Sequence, residues 1–380
     1  MTTLPASLSA STLSPTTGRL SRRYLLHEVI HRGANTVLYR GEMQAAGQFA
    51  RPVVLKMLKA DLVGSREAEA RLRDEARLLG LVRHRAIVGV HGVVTLAGRL
   101  GLVMELVAGE DVLTLLRQGP VPVSAALEIV EEVAGALDVA WRSPGDDGAP
   151  LRLAHRCLDG RAVRVTPEGA VKVVGFDFAR ADLRAREAGT RAISRSFPFA
   201  VDDLDGDAAD RRDVGALGAL LYSMVHGSPL PPLPAAGRTP AVARALEALC
   251  IAEPARSEVQ ALLGLMLSAD AGDRPTLRDV QRRAGDLRRR LGGQSLSAWA
   301  AGATRRAPAR LMLGATDPLS GGVFVEGSEA PPAPARLEVP WATLGVLAAG
   351  TTALSFGLLL MLLPLIWTTG IAPLLARLSG

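Results

Sequence analysis

The stretch from Pro52 to Val82 reads PVVLKMLKADLVGSREAEARLRDEARLLGLV, and its hydrophobic period changes halfway along. Pro52 to Leu58 is a short apolar run of the kind that forms a strand, whereas Ser65 to Val82 carries apolar residues at helical spacing, including Ala68, Leu72, Ala76 and Leu79. A lysine, Lys56, therefore sits in a strand, and an acid, Glu75, falls nineteen positions later on the helix that follows. Upstream, Tyr24 to Tyr39 also reads as strands. Downstream of Gly109 helices dominate: Val123 to Trp141, Asp213 to His226 and Val242 to Leu267 all have helical periodicity. This order predicts an α+β protein with a small β-rich lobe over residues 23–107 and a larger helical lobe over 108–291.

Composition excludes several classes. The 380 residues are 48% hydrophobic and 22% charged, enough apolar content for one two-lobed domain with extensions. A net charge of +6 comes from arginines spread among acids, and aromatics make up only 4%, so no nucleic-acid partner is expected. Cys157 and Cys250, the two cysteines, cannot build a disulfide framework or a cysteine-rich zinc site, which fits a reducing compartment. The histidines show no metal-ligand spacing; His84 and His226 stand where a side chain would cap or pack a helix end.

The ends of the chain read differently. Residues 1–22 are rich in Ser, Thr, Pro and Ala and end in the basic group Arg19, Arg22 and Arg23, which predicts a disordered tail without a signal-peptide core. Residues 292–340 repeat Gly, Ala, Pro and Ser with no sustained apolar period and read as a flexible linker. From Trp341 to Trp367 no charge occurs, and a helix of that length rises about 40 Å, enough to cross a bilayer with its tryptophans at the two interfaces. Arg336 and Arg377 flank the span equally, so the missing export signal sets the orientation: the N-terminal domain is expected in the cytoplasm, below a single-pass inner-membrane anchor with a short tail over 368–380. Gly345, Ala349, Ala353 and Gly357 recur every four residues, a spacing that suits a helix–helix homodimer contact.

Taken together, the motifs between Tyr24 and Arg290 resemble those of the bacterial eukaryotic-like serine/threonine protein kinases. Val53-Val54-Leu55-Lys56 resembles the strand with the phosphate-binding lysine, and Glu75 stands where that lysine's partner belongs. Leu102 to Leu106 resembles the hinge, with Glu105 and Leu106 where backbone groups meet adenine. His155-Arg156 looks like the start of the catalytic loop, Phe176 like the phenylalanine of Asp-Phe-Gly, and Ala200-Val201-Asp202 like the end of the activation segment. The resemblance also implies that Asp213 anchors the large lobe, that Arg274 pairs with Asp202, and that Val90, Leu79, Phe176 and His155 stack into a spine joining the lobes.

Against that pattern the chemistry is depleted. Cys157 replaces the catalytic aspartate, Ala162 the metal-holding asparagine, and Gly175 the aspartate of Asp-Phe-Gly. A thiol is a poor carboxylate substitute, and a methyl group offers no oxygen to a hard cation. Asp177 and Asp159 are the candidate substitutes, Asp159 having the alternative role of a loop-stabilising acid. In the phosphate-covering loop, residues 31–36, only Gly33 remains of three glycines, and Arg164 occupies the apolar floor beneath adenine. The resemblance thus implies a membrane-anchored pseudokinase acting as a signalling scaffold or regulator toward a protein partner such as an active kinase. No cofactor or metal is required; ATP would use Gly33, Lys56, Glu75, Glu105 and Leu106, and magnesium is not expected. The alternative is a weak or unconventional serine/threonine kinase.

Overall fold

Strand β1 (Arg23–Arg32) buries Tyr24 and Leu26 in alternation and then Val29, a step of three that a bulge between Leu26 and Val29 absorbs. The computed structural model describes residues 22–44, 49–176, 209–231, 238–249, 251–306 and 317–326. β1 runs antiparallel to β2 (Thr36–Gln44), and β2 to β3 (Ala50–Leu58). Every residue of β3 from Val53 to Leu58 is buried, because this strand lies inside the sheet and both of its faces are covered.

The period of two sorts those residues. Val53, Leu55 and Met57 join a cluster with Tyr24, Leu26 and Tyr39, whereas Val54 and Leu58 join one with Leu72 of α1 (Arg66–Leu81). Lys56 has the parity of Val54 and Leu58 and so faces the helix. Ser65 starts that helix by accepting the Ala68 amide at 3.3 Å, with Glu67 and Glu69 in the first turn where the helix dipole favours acids. β4 (Val90–Leu96) and β5 (Arg99–Glu105) complete one side of a six-stranded sheet ordered β4-β5-β3-β2-β1-β9, its last strand being β9 (Val323–Val325).

The larger lobe begins after the hinge. A second sheet pairs β6 (Glu110–Asp111) with β7 (Val163–Val165) and β7 with β8 (Val171–Val173), and Asp111 caps the short α2 (Val112–Leu115) by accepting the Thr114 amide at 2.9 Å. Two helices, α3 (Val123–Arg142) and α4 (Ala209–His226), are buried along most of their length and form the centre of the main core. α5 (Arg238–Glu247), α6 (Ala255–Met266) and α7 (Leu277–Leu291) surround them, with Thr276 capping α7 through the Asp279 amide.

Two stretches fold differently from their sequence reading. The helical period over Val242 to Leu267 is broken between α5 and α6, where Pro254 stands at the N-cap of the second helix. The expected linker over 292–340 contains α8 (Leu296–Arg306), which buries Leu296, Ala300 and Ala303 in the large-lobe core, and β9, which extends the small-lobe sheet. Among the described residues no helix is long and apolar enough to cross a membrane. The N-terminal tail to residue 21, Asp177, Asp202, Cys250, the span 341–367 and the tail 368–380 lie outside the described residues.

Gly41 of β2 shows how tightly the sheet closes. A Cβ there would lie 2.5 Å from the Leu25 carbonyl oxygen and 2.8 Å from a Leu55 methyl carbon. Backbone cannot yield as a flexible side chain does, so Gly41→Ala should lower stability by about 1–3 kcal/mol in a chemical-denaturation experiment, with the native circular dichroism retained.

Candidate functional site

Lys56 is 3% exposed, and its ammonium Nζ lies 2.8 and 2.7 Å from the two carboxylate oxygens of Glu75. The strand parity that turns Lys56 toward α1 and the helical spacing that places Glu75 near the Leu72 and Leu79 face create this contact. Burial pulls the lysine pKa below its ordinary value, against the charge and hydrogen bonds of Glu75, which favour the ammonium.

In the large lobe, Asp213 of α4 is 1% exposed and accepts the His155 amide at 2.7 Å and the Arg156 amide at 2.8 Å, one on each oxygen. Burial pushes this carboxyl up, while His155 and the two amides act in the opposite direction. Its bidentate grip fits the turn of the chain at Arg156, whose φ of 68° is left-handed. The His155 ring then bonds through Nε2 to the Val174 carbonyl at 2.9 Å and meets Phe176 edge-on, with ring centroids 4.6 Å apart. Phe176 and Leu79 share one buried cluster, and Val90 packs against both that cluster and the small-lobe cluster of Val54 and Leu58. Of the four positions expected to form a spine, His155 and Phe176 are in ring contact, and Leu79 and Phe176 belong to the cluster against which Val90 packs.

In the loop held by Asp213, the two acidic groups of interest are the thiol of Cys157 and the carboxylate of Asp159. Cys157 is half-buried, and burial pushes its thiol up to about 11, so the thiolate is scarce near neutral pH. Asp159 points one carboxylate oxygen at the amides of Arg161 and Ala162, at 2.8 and 3.2 Å, closing its own turn. Ala162 is 7% exposed and bonded through its backbone to Val174. Gly175 is exposed with φ of 82°, a conformation that aspartate and asparagine tolerate better than most side chains. Among the described residues no group of three or more His, Cys, Asp or Glu side chains has the arrangement to hold a metal ion.

The residues expected on the nucleotide side are each engaged within the chain. Gly33 closes the β1–β2 turn by donating to the Thr36 carbonyl at 2.9 Å. Arg164 of β7 lies partly buried and donates to the Gly109 carbonyl, so its guanidinium is tied to the chain just after the hinge. Glu105 of the hinge is paired with Lys172 of β8 at 2.5 Å, a contact the sequence reading missed because a single lysine between two valines carries no signal of its partner. Leu106 packs against the small-lobe cluster that includes Leu102 and Met104. Below, Arg274 is 4% exposed and donates to the carbonyls of Ser268 and Arg211, each at 3.1 Å. His84 accepts the Ala86 amide at 3.1 Å through Nδ1, and His226 stacks on Tyr222.

A small sheet lobe with a buried Lys–Glu pair, a helical lobe whose buried aspartate holds the loop at 155–162, and a spine between them define the two-lobed protein kinase fold. A family model described as protein tyrosine and serine/threonine kinase matches residues 25–284, and the chain belongs to that family. It is 29% identical over 214 residues to the tyrosine-protein kinase MasK of Myxococcus xanthus, covering 54% of this chain and 33% of that protein. With the serine/threonine-protein kinases PknL and PknA of Mycobacterium tuberculosis it shares 30% identity over 211 and 224 residues, covering 55% and 57% of this chain and 50% and 49% of theirs. The chain therefore spans half or less of the length of these relatives.

Two measurements probe the site directly. Asp213→Ala leaves two buried amides without an acceptor, which should cost about 2–5 kcal/mol in denaturant unfolding. Alkylation of Cys157, followed in a Cys250→Ser background, should be slow at pH 8 and rise about tenfold per pH unit until the thiol ionises near 11; a plateau near pH 8 would show an activated thiol instead.

Proposed function

We propose that this chain is a pseudokinase: a kinase-fold protein that signals by binding a protein partner and transfers no phosphate. The observation that carries this reading is the catalytic loop, fully assembled around Asp213 and His155 but bearing Cys157 and Ala162, with Gly175 before Phe176, where the family's chemistry needs a base and two metal ligands. The half-buried thiol with its raised pKa does not replace a carboxylate base, and the Asp159 oxygen bonded to loop amides is engaged in the loop's own structure. Residues 341–367 would tether the domain to the inner membrane with the kinase-like domain cytoplasmic, and the small-residue repeat there would favour a homodimer.

One observation favours a second reading, a weak serine/threonine or tyrosine kinase. The Lys56–Glu75 pair is formed, as a lysine that holds nucleotide phosphates requires, and the relatives are named as kinases of both classes. ATP is the ligand of that reading, held by Lys56 and by the hinge at Glu105 and Leu106.

Radiolabelled ATP separates the two. A positioned general base alone contributes about 10²- to 10⁴-fold, so the parent protein should transfer no phosphate above background to itself or to a generic substrate with magnesium present. Transfer that disappears in Lys56→Ala would establish the enzyme and overturn the pseudokinase. Transfer that appears only after Cys157→Asp, Ala162→Asn and Gly175→Asp are combined would trace the loss of chemistry to those positions.

A further inference from the structure

Residues 317–326 run the length of β1 and are held at both ends. At the Arg22 end the contacts are backbone ones: Glu326 donates to the Arg22 carbonyl at 3.0 Å, Leu26 donates to Gly322 at 3.0 Å, and Gly321 donates to Leu26 at 2.7 Å, around the paired strands β1 and β9. At the Arg32 end the contacts are side-chain ones. Asp317 accepts the Tyr39 hydroxyl through one carboxylate oxygen and the Arg32 guanidinium, at 3.1 Å, through the other. Arg99, which donates to the Leu58 carbonyl at 2.7 Å, adds its charge beside Tyr39 and Asp317. Burial pushes the Asp317 carboxyl up, but the bonds from Tyr39, Leu319 and Arg32 and the Arg99 charge outweigh it and hold the carboxyl below its ordinary range.

This attachment is narrow. Leu319 is the residue of the segment that enters the small-lobe core, Phe324 packs at its margin, and Val323 is 59% exposed. A three-residue strand has too few bonds to hold itself on a sheet edge, so the Asp317 cluster has to supply the rest. The segment also lies beyond the family match over residues 25–284, whereas the other strands of the sheet fall within that match from Leu25 on. Elements with few buried apolar contacts open at lower free energy than the core they lie on.

We propose that residues 317–326 are a detachable strap, pinned by Asp317 to Tyr39 and Arg32, which closes the β1 edge of the small lobe and opens without unfolding the domain. Detached, it leaves a strand edge with unpaired amides and carbonyls over Arg22 to Leu26.

Hydrogen exchange with mass spectrometry on the full chain in detergent micelles tests this. In the parent, peptides covering 317–326 and 22–30 should be protected. Asp317→Ala should speed exchange in both by roughly ten- to hundredfold while β3, α3 and α4 keep parent rates. Tyr39→Phe, which keeps the ring and removes the hydroxyl, should shift the same peptides less. A disulfide between Leu25→Cys and Val323→Cys, opposed residues of β1 and β9, should restore protection in the Asp317→Ala protein, with Cys157 and Cys250 replaced by Ser. No protection over 317–326 in the parent would overturn the strap. Unchanged exchange in Asp317→Ala would overturn the anchor, and acceleration of the whole domain in both Asp317→Ala and Tyr39→Phe would overturn detachability.

Discussion

A carboxylate that is almost wholly removed from water must find its donors inside the protein, and Asp213 finds them in two consecutive amides of a loop 57 and 58 residues earlier in the chain. That requirement fixes the loop. It turns the chain through a left-handed residue at Arg156, carries the His155 ring to the Val174 carbonyl and to Phe176, and so sets the positions of Cys157 and Ala162. None of these contacts involves a phosphate, a metal or a proton in transit. The geometry of this loop is therefore set by contacts with the large-lobe core.

The same logic applies to Lys56 and Glu75. An ammonium at 3% exposure would be strongly disfavoured without a counter-charge, and removing one partner of such a pair typically costs roughly 3–5 kcal/mol, whereas the intact pair adds little net stability. Once β3 and α1 pack with Lys56 facing inward, the loss of Glu75 alone is penalised by folding. The survival of the pair consequently reports on the packing of the small lobe and leaves catalysis undecided.

How much of this was legible in the sequence depends on the kind of force involved. α1, α3 and α4 announce themselves by long apolar periods, because burying a helix face demands a pattern. The lysine and glutamate are legible through their resemblance to a family motif, their spacing within strand and helix supporting it. α8 was hidden because alanine, glycine and serine supply little hydrophobic signal, although Leu296, Ala300 and Ala303 lie at helical spacing and are all buried. β9 was hidden for a different reason: three residues held by backbone bonds leave almost no trace in side-chain pattern. The Asp317 cluster and the Glu105–Lys172 pair bring together residues far apart in the chain, and no local rule connects them.

Several positions that match the family pattern are deeply buried, although Glu75 and Gly33, which also match, are only half-buried. Lys56, His155, Asp213, Phe176 and Arg274 are each at most 4% exposed and match, whereas Gly175 is exposed, Cys157 half-buried, and both depart. Replacing a solvent-facing acid by a small side chain removes charge at little cost to folding. Ala162 is the exception, at 7% exposure and bonded through its backbone on both sides. An asparagine there must place a polar amide in a nearly closed space, and without a metal ion or a new hydrogen-bond partner that amide is a cost. Of the departures from the family pattern, the one at 162 is therefore the least neutral to the fold, and it is the position at which stability and metal binding pull in opposite directions.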